Sequence, residues 1–189
     1  MKKHSFEALP QGYIPARSVD LVHNKKEMRG VSIASVVLTV LLAVPAVATH
    51  PFLPQESLSQ YLLCTGVTLA GLLLYIILHE LTHGAVILLL GGKPYFGFKG
   101  GYAFAGTGAV FPRAEYITVA LAPVVLWGIV LGILCAVLPE AWFWPCYLIQ
   151  IINLSGAAGD YYVTLLSIKM PTDTLIKDDG TAMTFFTHV

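Results

Sequence analysis

The chain has 189 residues, of which 56% are hydrophobic and 12% are charged, and its mean hydropathy is +0.73. Soluble domains carry about twice that share of charge, at about 25%, so this composition excludes an ordinary soluble domain. The 11 basic and 11 acidic side chains cancel, which gives no basic surface for a nucleic-acid partner. The three cysteines form no CxxC pair, so they indicate neither a disulfide framework nor a thiolate zinc site.

Four charge-poor stretches predict membrane-spanning helices. A helix needs about 20 mainly apolar residues to cross a bilayer. The stretches that meet this requirement are residues 31–49, 61–90, 116–138 and 142–168. We therefore expect an all-α membrane protein with about four transmembrane helices, and the lipid bilayer is its first predicted partner.

The basic residues predict the orientation of these spans. Lysines and arginines lie in residues 1–29, in the connection 91–113 and after the fourth span, whereas the other two connections contain none. Cytoplasmic segments are the ones enriched in such residues. The sequence thus predicts a multi-pass protein of a bacterial plasma membrane. Its cytoplasmic tails would be residues 1–29 and 171–189, and its integral-membrane domain residues 30–170.

The second predicted span contains the motif His79-Glu80-Leu81-Thr82-His83, an HExxH pattern. Residues four apart lie on one face of a helix, so the two imidazoles can bind one Zn²⁺. Glu80 is then close enough to act as general base on an attacking water. The alternative is a pair of buried histidines that hold helices together by hydrogen bonds.

The connection between the second and third spans, residues 91–113, contains seven glycines and six aromatic residues. Lys99-Gly100-Gly101 can turn a hairpin between two short aromatic strands, and an exposed edge could accept an unfolded substrate as an added strand. The alternative is an aromatic re-entrant loop at the membrane interface. In the third span Pro123 predicts a kink, either for packing or to open a water route.

Asp160 is the predicted third ligand of the metal. A catalytic zinc site needs three protein ligands, and Asp160 is the other acid within a predicted span. His83 lies ten residues before Lys93, and Asp160 lies nine residues before Lys169. At 1.5 Å per residue the two side chains should lie at nearly the same depth. The alternative is a protonated acid at a contact between helices.

Asn153 lies seven residues before Asp160, two turns away on the same helical face. Its amide could hydrogen-bond a substrate backbone or an oxyanion, which would make it catalytic. An interhelical hydrogen bond is an equally good interpretation. The small residues between the two, 155–159, would let neighbouring helices approach closely.

These motifs carry a resemblance to known proteins. HExxH within a span, followed by a last span with Asn153 and Asp160, resembles the site-2 protease class of intramembrane zinc metalloproteases. More closely, residues 61–170 are similar to a family of short bacterial membrane proteins described as zincin peptidases. The resemblance implies zinc held by His79, His83 and Asp160, with Glu80 as general base. It also implies hydrolysis of peptide bonds in a membrane-protein substrate.

The sequence departs from the larger class around Asn153. That class has a proline three residues after its asparagine, an aspartate eight residues after it, and a glycine next. Here Gly156 occupies the proline position, the aspartate comes after seven residues, and Tyr161 follows it. A spacing of seven preserves the helical face, so the ligand role of Asp160 survives, whereas the proline that would bend a substrate in the larger class is replaced by Gly156.

The sequence therefore predicts an intramembrane zinc metalloprotease. Two other functions fit part of the pattern. One is a non-catalytic membrane scaffold or adaptor that retains a structural metal site. The other is a metal or small-solute transporter, although the sequence shows neither an inverted repeat nor a second polar path.

Overall fold

The computed structural model describes residues 4–21, 23–51, 57–99, 101–180 and 182–189. Within them the helices are α1 (Lys25–Thr49), α2 (Leu58–Leu89), α3 (Arg113–Val137), α4 (Phe143–Gly156) and α5 (Ala158–Lys169), with a 3-10 turn at Glu140–Trp142. The strands are β1 (Tyr13–Asp20), β2 (Pro94–Lys99), β3 (Tyr102–Thr107), β4 (Val110–Pro112), β5 (Leu175–Asp178) and β6 (Ala182–His188).

Three of the helices, α1, α2 and α3, are long and apolar enough to cross a membrane. Their large apolar side chains are widely exposed, with Leu41 at 63% and Leu73 at 68% as examples. Exposed apolar surface on this scale is unfavourable in water, and a bilayer removes that cost. These helices are consistent with a membrane protein.

The predicted fourth span, residues 142–168, is not one uninterrupted helix, and a fourth transmembrane helix is not shown among the described residues. The segment forms two helices of 14 and 12 residues, α4 and α5, with Ala157 between them at φ −74° and ψ 13°. Neither helix reaches the length needed to cross a bilayer on its own. Glycine disfavours helix by about 1 kcal/mol relative to alanine, so Gly156 is a natural end point for α4.

The prediction of an all-α fold is wrong, because the mostly helical protein also contains a four-stranded antiparallel sheet in the order β1-β6-β5-β4. Tyr13 pairs with His188, and at the other edge Val110 pairs with Lys177. Three of the four strands come from the polar segments at the two ends of the chain. The cytoplasmic location of those segments stays a prediction.

The glycine-rich connection forms the predicted hairpin rather than a re-entrant loop. Strands β2 and β3 pair in antiparallel register from Pro94 with Thr107 to Lys99 with Tyr102. In the predicted turn, Gly101 has a φ of +88°, a conformation that glycine adopts readily, whereas Gly100 lies outside the described residues. Phe98 is 75% exposed on this hairpin.

Contacts divide the chain into two units. The first comprises Met1–Val31, Glu80–Ala122 and Gly159–Val189, and the second comprises Ser32–His79 and Pro123–Ala158. The first unit has a core in which one face of the sheet packs against the end of α2, the start of α3 and α5. Its buried members are Val19, Ile87, Phe111, Tyr116, Val119, Ala120, Val163, Ile176, Met183 and Phe185.

In the second unit, hydrogen bonds from α4 reach α1 and the residues just after it. The Tyr147 hydroxyl donates to the Leu42 carbonyl at 2.9 Å, and Trp144 Nε1 donates to the Pro51 carbonyl at 2.9 Å. Polar tips that reach a backbone carbonyl let large aromatic side chains pack without an unpaired donor.

A hydrogen bond from Tyr116 ties α3 to the sheet of the first unit. The buried Tyr116 hydroxyl donates to Asp178 Oδ2 at 2.7 Å, and the Gly180 N–H donates to Asp178 Oδ1 at 2.8 Å. Burial raises the pKa of the Asp178 carboxyl, and these two hydrogen bonds act in the opposite direction. They therefore stabilise the ionised carboxylate at this point.

We expect Tyr116→Phe to lower the free energy of unfolding by about 1.5–3 kcal/mol, the range for a hydrogen bond to a charged group. Thermal unfolding in detergent measures the change, with Tyr13→Phe as control because the Tyr13 hydroxyl donates only to an exposed carbonyl, that of Asp173. The variant raises the pKa of Asp178 further. Its loss of unfolding free energy should therefore be complete above that pKa and shrink as the pH falls through it. Equal unfolding temperatures for both variants would contradict this role.

Candidate metal centre

Helix α2 positions the two histidines and Glu80. It runs without a break from Leu58 to Leu89, so His79 and His83 lie one turn apart on the same face. Glu80 lies three residues before His83, on the adjoining part of that face. The helix is continuous through the point where contacts divide the chain, so the spacing of the histidines is fixed by the helix itself.

Asp160 meets His83, as the depth count predicts. His83 Nε2 lies 3.6 Å from Asp160 Oδ1, and the two side chains are 12% and 21% exposed. The end of α4 at Gly156 places Asp160 in the first turn of the new helix α5, where the helix dipole favours a carboxylate. The break that the sequence failed to indicate therefore gives this acid a favourable position.

His79, His83 and Asp160 form a cluster in which one ligand atom of each residue lies within 4.8 Å of the others. Zinc bonds of about 2.0–2.2 Å in a tetrahedron place neighbouring ligand atoms about 3.3–3.6 Å apart, which matches the 3.6 Å between His83 Nε2 and Asp160 Oδ1. Two imidazole nitrogens and one carboxylate oxygen are a zinc donor set with one position left for water or substrate. The residues present therefore fit zinc, and their role as its ligands stays a prediction.

A proline explains the orientation of His83. Pro123 has no N–H, so the Val119 carbonyl four residues earlier lacks its usual helical donor. His83 Nδ1 lies 2.8 Å from that carbonyl oxygen. A carbonyl only accepts, so Nδ1 carries a proton, and in the neutral ring Nε2, the nitrogen facing Asp160, then has the lone pair that a metal needs.

We expect Pro123→Ala to lower zinc affinity up to about 10-fold, the low end of the effect of outer partners of metal ligands. The backbone N–H that the substitution introduces would compete with His83 for the Val119 carbonyl. Chelator competition on the purified protein measures the change. Pro45→Ala is the matched control, because Pro45 also lies inside a candidate membrane span, α1, and none of the three clustered residues belongs to that helix. Equal zinc affinity in both variants would show that the released carbonyl does not orient His83.

Asn153 is fully buried and makes the interhelical hydrogen bonds of the alternative interpretation. Its Nδ2 donates to the Val124 carbonyl of α3 at 3.3 Å and, within α4, to Gln150 Oε1 at 3.2 Å. Its Oδ1 accepts from the Tyr75 hydroxyl at 2.8 Å. A direct catalytic role for Asn153 stays a prediction, as does the role of Glu80 as general base.

Sequence reasoning missed two partners of the histidines. Tyr75 lies four residues before His79 on α2, and its hydroxyl is 2.9 Å from His79 Nδ1. The i, i+4 spacing of a tyrosine and a histidine within an apolar span was the available signal. For the Val119 carbonyl the signal was Pro123, which marks an unpaired acceptor one turn earlier.

Comparison with known proteins now decides the family. The model of a family described as "Putative zincin peptidase" matches residues 72–175, which is more than half of the chain and includes His79, His83 and Asp160. The chain belongs to this zincin peptidase family. Zincins are named for zinc, so the family agrees with the donor set of the cluster.

A curated protein from Pyrococcus woesei is similar to the chain. It is described as "Uncharacterized 24.7 kDa protein in gap 5'region" and is 28% identical over 117 residues, which cover 59% of this chain. The match covers 51% of the relative, so the chain spans about half the length of the curated protein it matches. No solved structure is significantly similar to the chain.

Proposed function

We propose that the protein is an intramembrane zinc metalloprotease that hydrolyses peptide bonds of membrane-associated substrates. One observation carries the proposal: Asp160 lies close to His79 and His83, and these two histidines belong to a helix apolar enough to cross a membrane. Ionisable residues are costly in such a helix and mark functional sites. The family supports a peptidase, and the cluster supports zinc.

Each side chain has a distinct part in the proposed reaction. His79, His83 and Asp160 would hold the zinc, which supplies a water of lowered pKa and polarises the scissile carbonyl. Glu80 accepts a proton from the attacking water and returns it to the leaving amine. The carboxylate of Asp160 offsets part of the metal charge, which matters where the surroundings are apolar.

The hairpin β2–β3 is the proposed place of substrate entry. Peptide bonds within a helix are shielded, so a membrane-spanning substrate has to unwind before it can be cut. An extended segment can add to an unpaired strand edge through its backbone. The exposed side chains of Phe96 and Phe98, 50% and 75% accessible, would contact the apolar side chains of such a segment.

The proposed location is the plasma membrane, with both ends of the chain in the cytoplasm. The asymmetry of lysine and arginine supports this orientation. With Lys93 and Lys99 on the cytoplasmic side, the hairpin would face the cytoplasm too. Cysteine labelling from either side of membrane vesicles, at a position such as Phe98→Cys, tests the orientation.

Cleavage by the purified protein tests the function. The probes are β-casein, an unfolded soluble protein, and a single-span fusion protein reconstituted in the same vesicles. We expect zinc-dependent cleavage of the single-span protein, abolished by chelation and restored by added zinc. A zinc-loaded, folded protein that cuts neither probe would count against a protease and favour the scaffold interpretation.

A further inference from the structure

A network of hydrogen bonds connects α3, α4 and α2 and ends at His79 of the candidate metal site. The Gly128 carbonyl accepts from Gln150 Nε2 at 3.1 Å, and Gln150 Oε1 accepts from Asn153 Nδ2 at 3.2 Å. Asn153 Oδ1 then accepts from the Tyr75 hydroxyl at 2.8 Å. Tyr75 lies 2.9 Å from His79 Nδ1. All these residues belong to the second unit.

Two backbone carbonyls determine which atom is donor and which is acceptor in every hydrogen bond of this network. The carbonyls of Val124 and Gly128 can only accept, so the atoms facing them must be the amide nitrogens of Asn153 and Gln150. Asn153 therefore presents its oxygen to Tyr75. Tyr75 has one hydroxyl proton and gives it to that oxygen, so its own oxygen accepts from His79.

The tautomer of His79 follows from this direction. If Tyr75 accepts, Nδ1 of His79 carries the proton and Nε2 has the lone pair. His83 reaches the same tautomer through the Val119 carbonyl. Both histidines thus offer Nε2 to the site, although their partners belong to different elements. Metal-ligating histidines commonly donate their second ring N–H to such a partner.

We propose that Tyr75, oriented by Asn153, is a positioning residue that fixes His79 in the tautomer that binds metal through Nε2. The inference rests on the metal site of the proposed function but not on peptide hydrolysis. Tyr75 is 6% exposed and Asn153 is 0% exposed, so water does not readily replace either partner. A buried hydrogen-bond network in which every donor and acceptor is assigned has one favourable arrangement of protons.

Nitrogen-15 NMR of the metal-free protein in detergent tests the tautomer directly. Histidine ring nitrogens with and without a proton differ widely in chemical shift, and a His79→Gln sample identifies the signals of His79. We expect Nδ1–H in the wild type and a loss of this preference in Tyr75→Phe. Tyr147→Phe is the matched control, because its hydroxyl donates to the Leu42 carbonyl in the same unit.

Substitutions of Asn153 separate positioning from packing. Asn153→Leu removes the acceptor for Tyr75, whose proton can then turn to His79 Nδ1 and favour the opposite tautomer. Asn153→Asp has nearly the same shape and keeps an oxygen acceptor, so we expect it to retain Nδ1–H. A wild-type His79 protonated at Nε2, or an unchanged His79 tautomer in Tyr75→Phe, would overturn the proposal.

Zinc affinity supplies the second measurement. We expect Tyr75→Phe to bind zinc about 10–100-fold more weakly, the range for loss of an outer partner of a metal ligand, with Tyr147→Phe unchanged. Equal affinity in wild type and Tyr75→Phe would also overturn the proposal. A wild type that binds zinc but cuts no peptide bond would contradict the proposed protease function without contradicting this inference.

Discussion

Glu80→Gln is expected to keep its zinc and lose its activity. The side chain keeps its size, and it is not one of the three clustered ligands, so zinc content should stay at the wild-type level. An amide cannot accept the proton of the attacking water. Loss of a general base lowers a rate by about 10²–10⁴-fold, which initial rates of cleavage of the single-span substrate measure.

Glu140→Gln is the matched control for this variant. It makes the same chemical change in the 3-10 turn that precedes α4, and we expect wild-type zinc content and a wild-type rate. A Glu80→Gln protein that cuts the substrate as fast as the wild type would remove Glu80 from the mechanism. Normal zinc binding in such a protein would still leave the metal site intact.

His83→Ala and Asp160→Ala are expected to abolish high-affinity zinc binding. Each removes one of three protein ligands, so the loss should exceed the ~10–100-fold cost of removing an outer partner. Each also leaves its counterpart, 3.6 Å away in the wild type, without the polar side chain that it faces. Chelator competition gives the affinity, and unfolding temperatures show whether the apo variants are still folded.

The pair His23 and Asp20 provides a control for the removal of a histidine beside an acid. His23 Nδ1 lies 2.8 Å from Asp20 Oδ2, but neither residue belongs to the cluster of three. We expect His23→Ala to bind zinc like the wild type. Equal affinity in His83→Ala and His23→Ala would contradict a metal site at His83.

Much of the candidate site could be predicted from the sequence because its signals are local or countable. The spacing of His79 and His83 fixes a common helical face without any knowledge of the fold. Asp160 could be predicted as the third ligand by comparing its depth in its span with that of His83, because ionisable residues in apolar stretches are few. The hydrogen bonds that orient the histidines are harder to predict from the sequence, because they depend on which helices become neighbours.

The sheet could not be assembled from the sequence because its pairings are not local. Strand β1 pairs with β6, which lies more than 160 residues later in the sequence. No periodicity within either strand indicates which strand it pairs with. β6 does alternate, with Met183 and Phe185 buried, and this two-residue period was a usable strand signal.

The break between α4 and α5 shows a different limit. Composition reports that residues 141–159 contain no charged side chain, but it does not report helix continuity. The small residues at 155–159 fit close helix packing and a helix end equally well. The structure has the helix end, and Asp160 gains its place in a first turn from it.

X-ray absorption at the zinc edge of the detergent-purified wild type, with its metal content, tests the central claim most directly. The account predicts about one zinc per chain, bound by two imidazole nitrogens and by oxygen at about 2.0–2.2 Å. A folded, monodisperse wild type that holds no zinc after zinc is supplied would contradict it. Zinc bound through sulfur at about 2.3 Å would contradict it as well, because it would place the metal at cysteines instead.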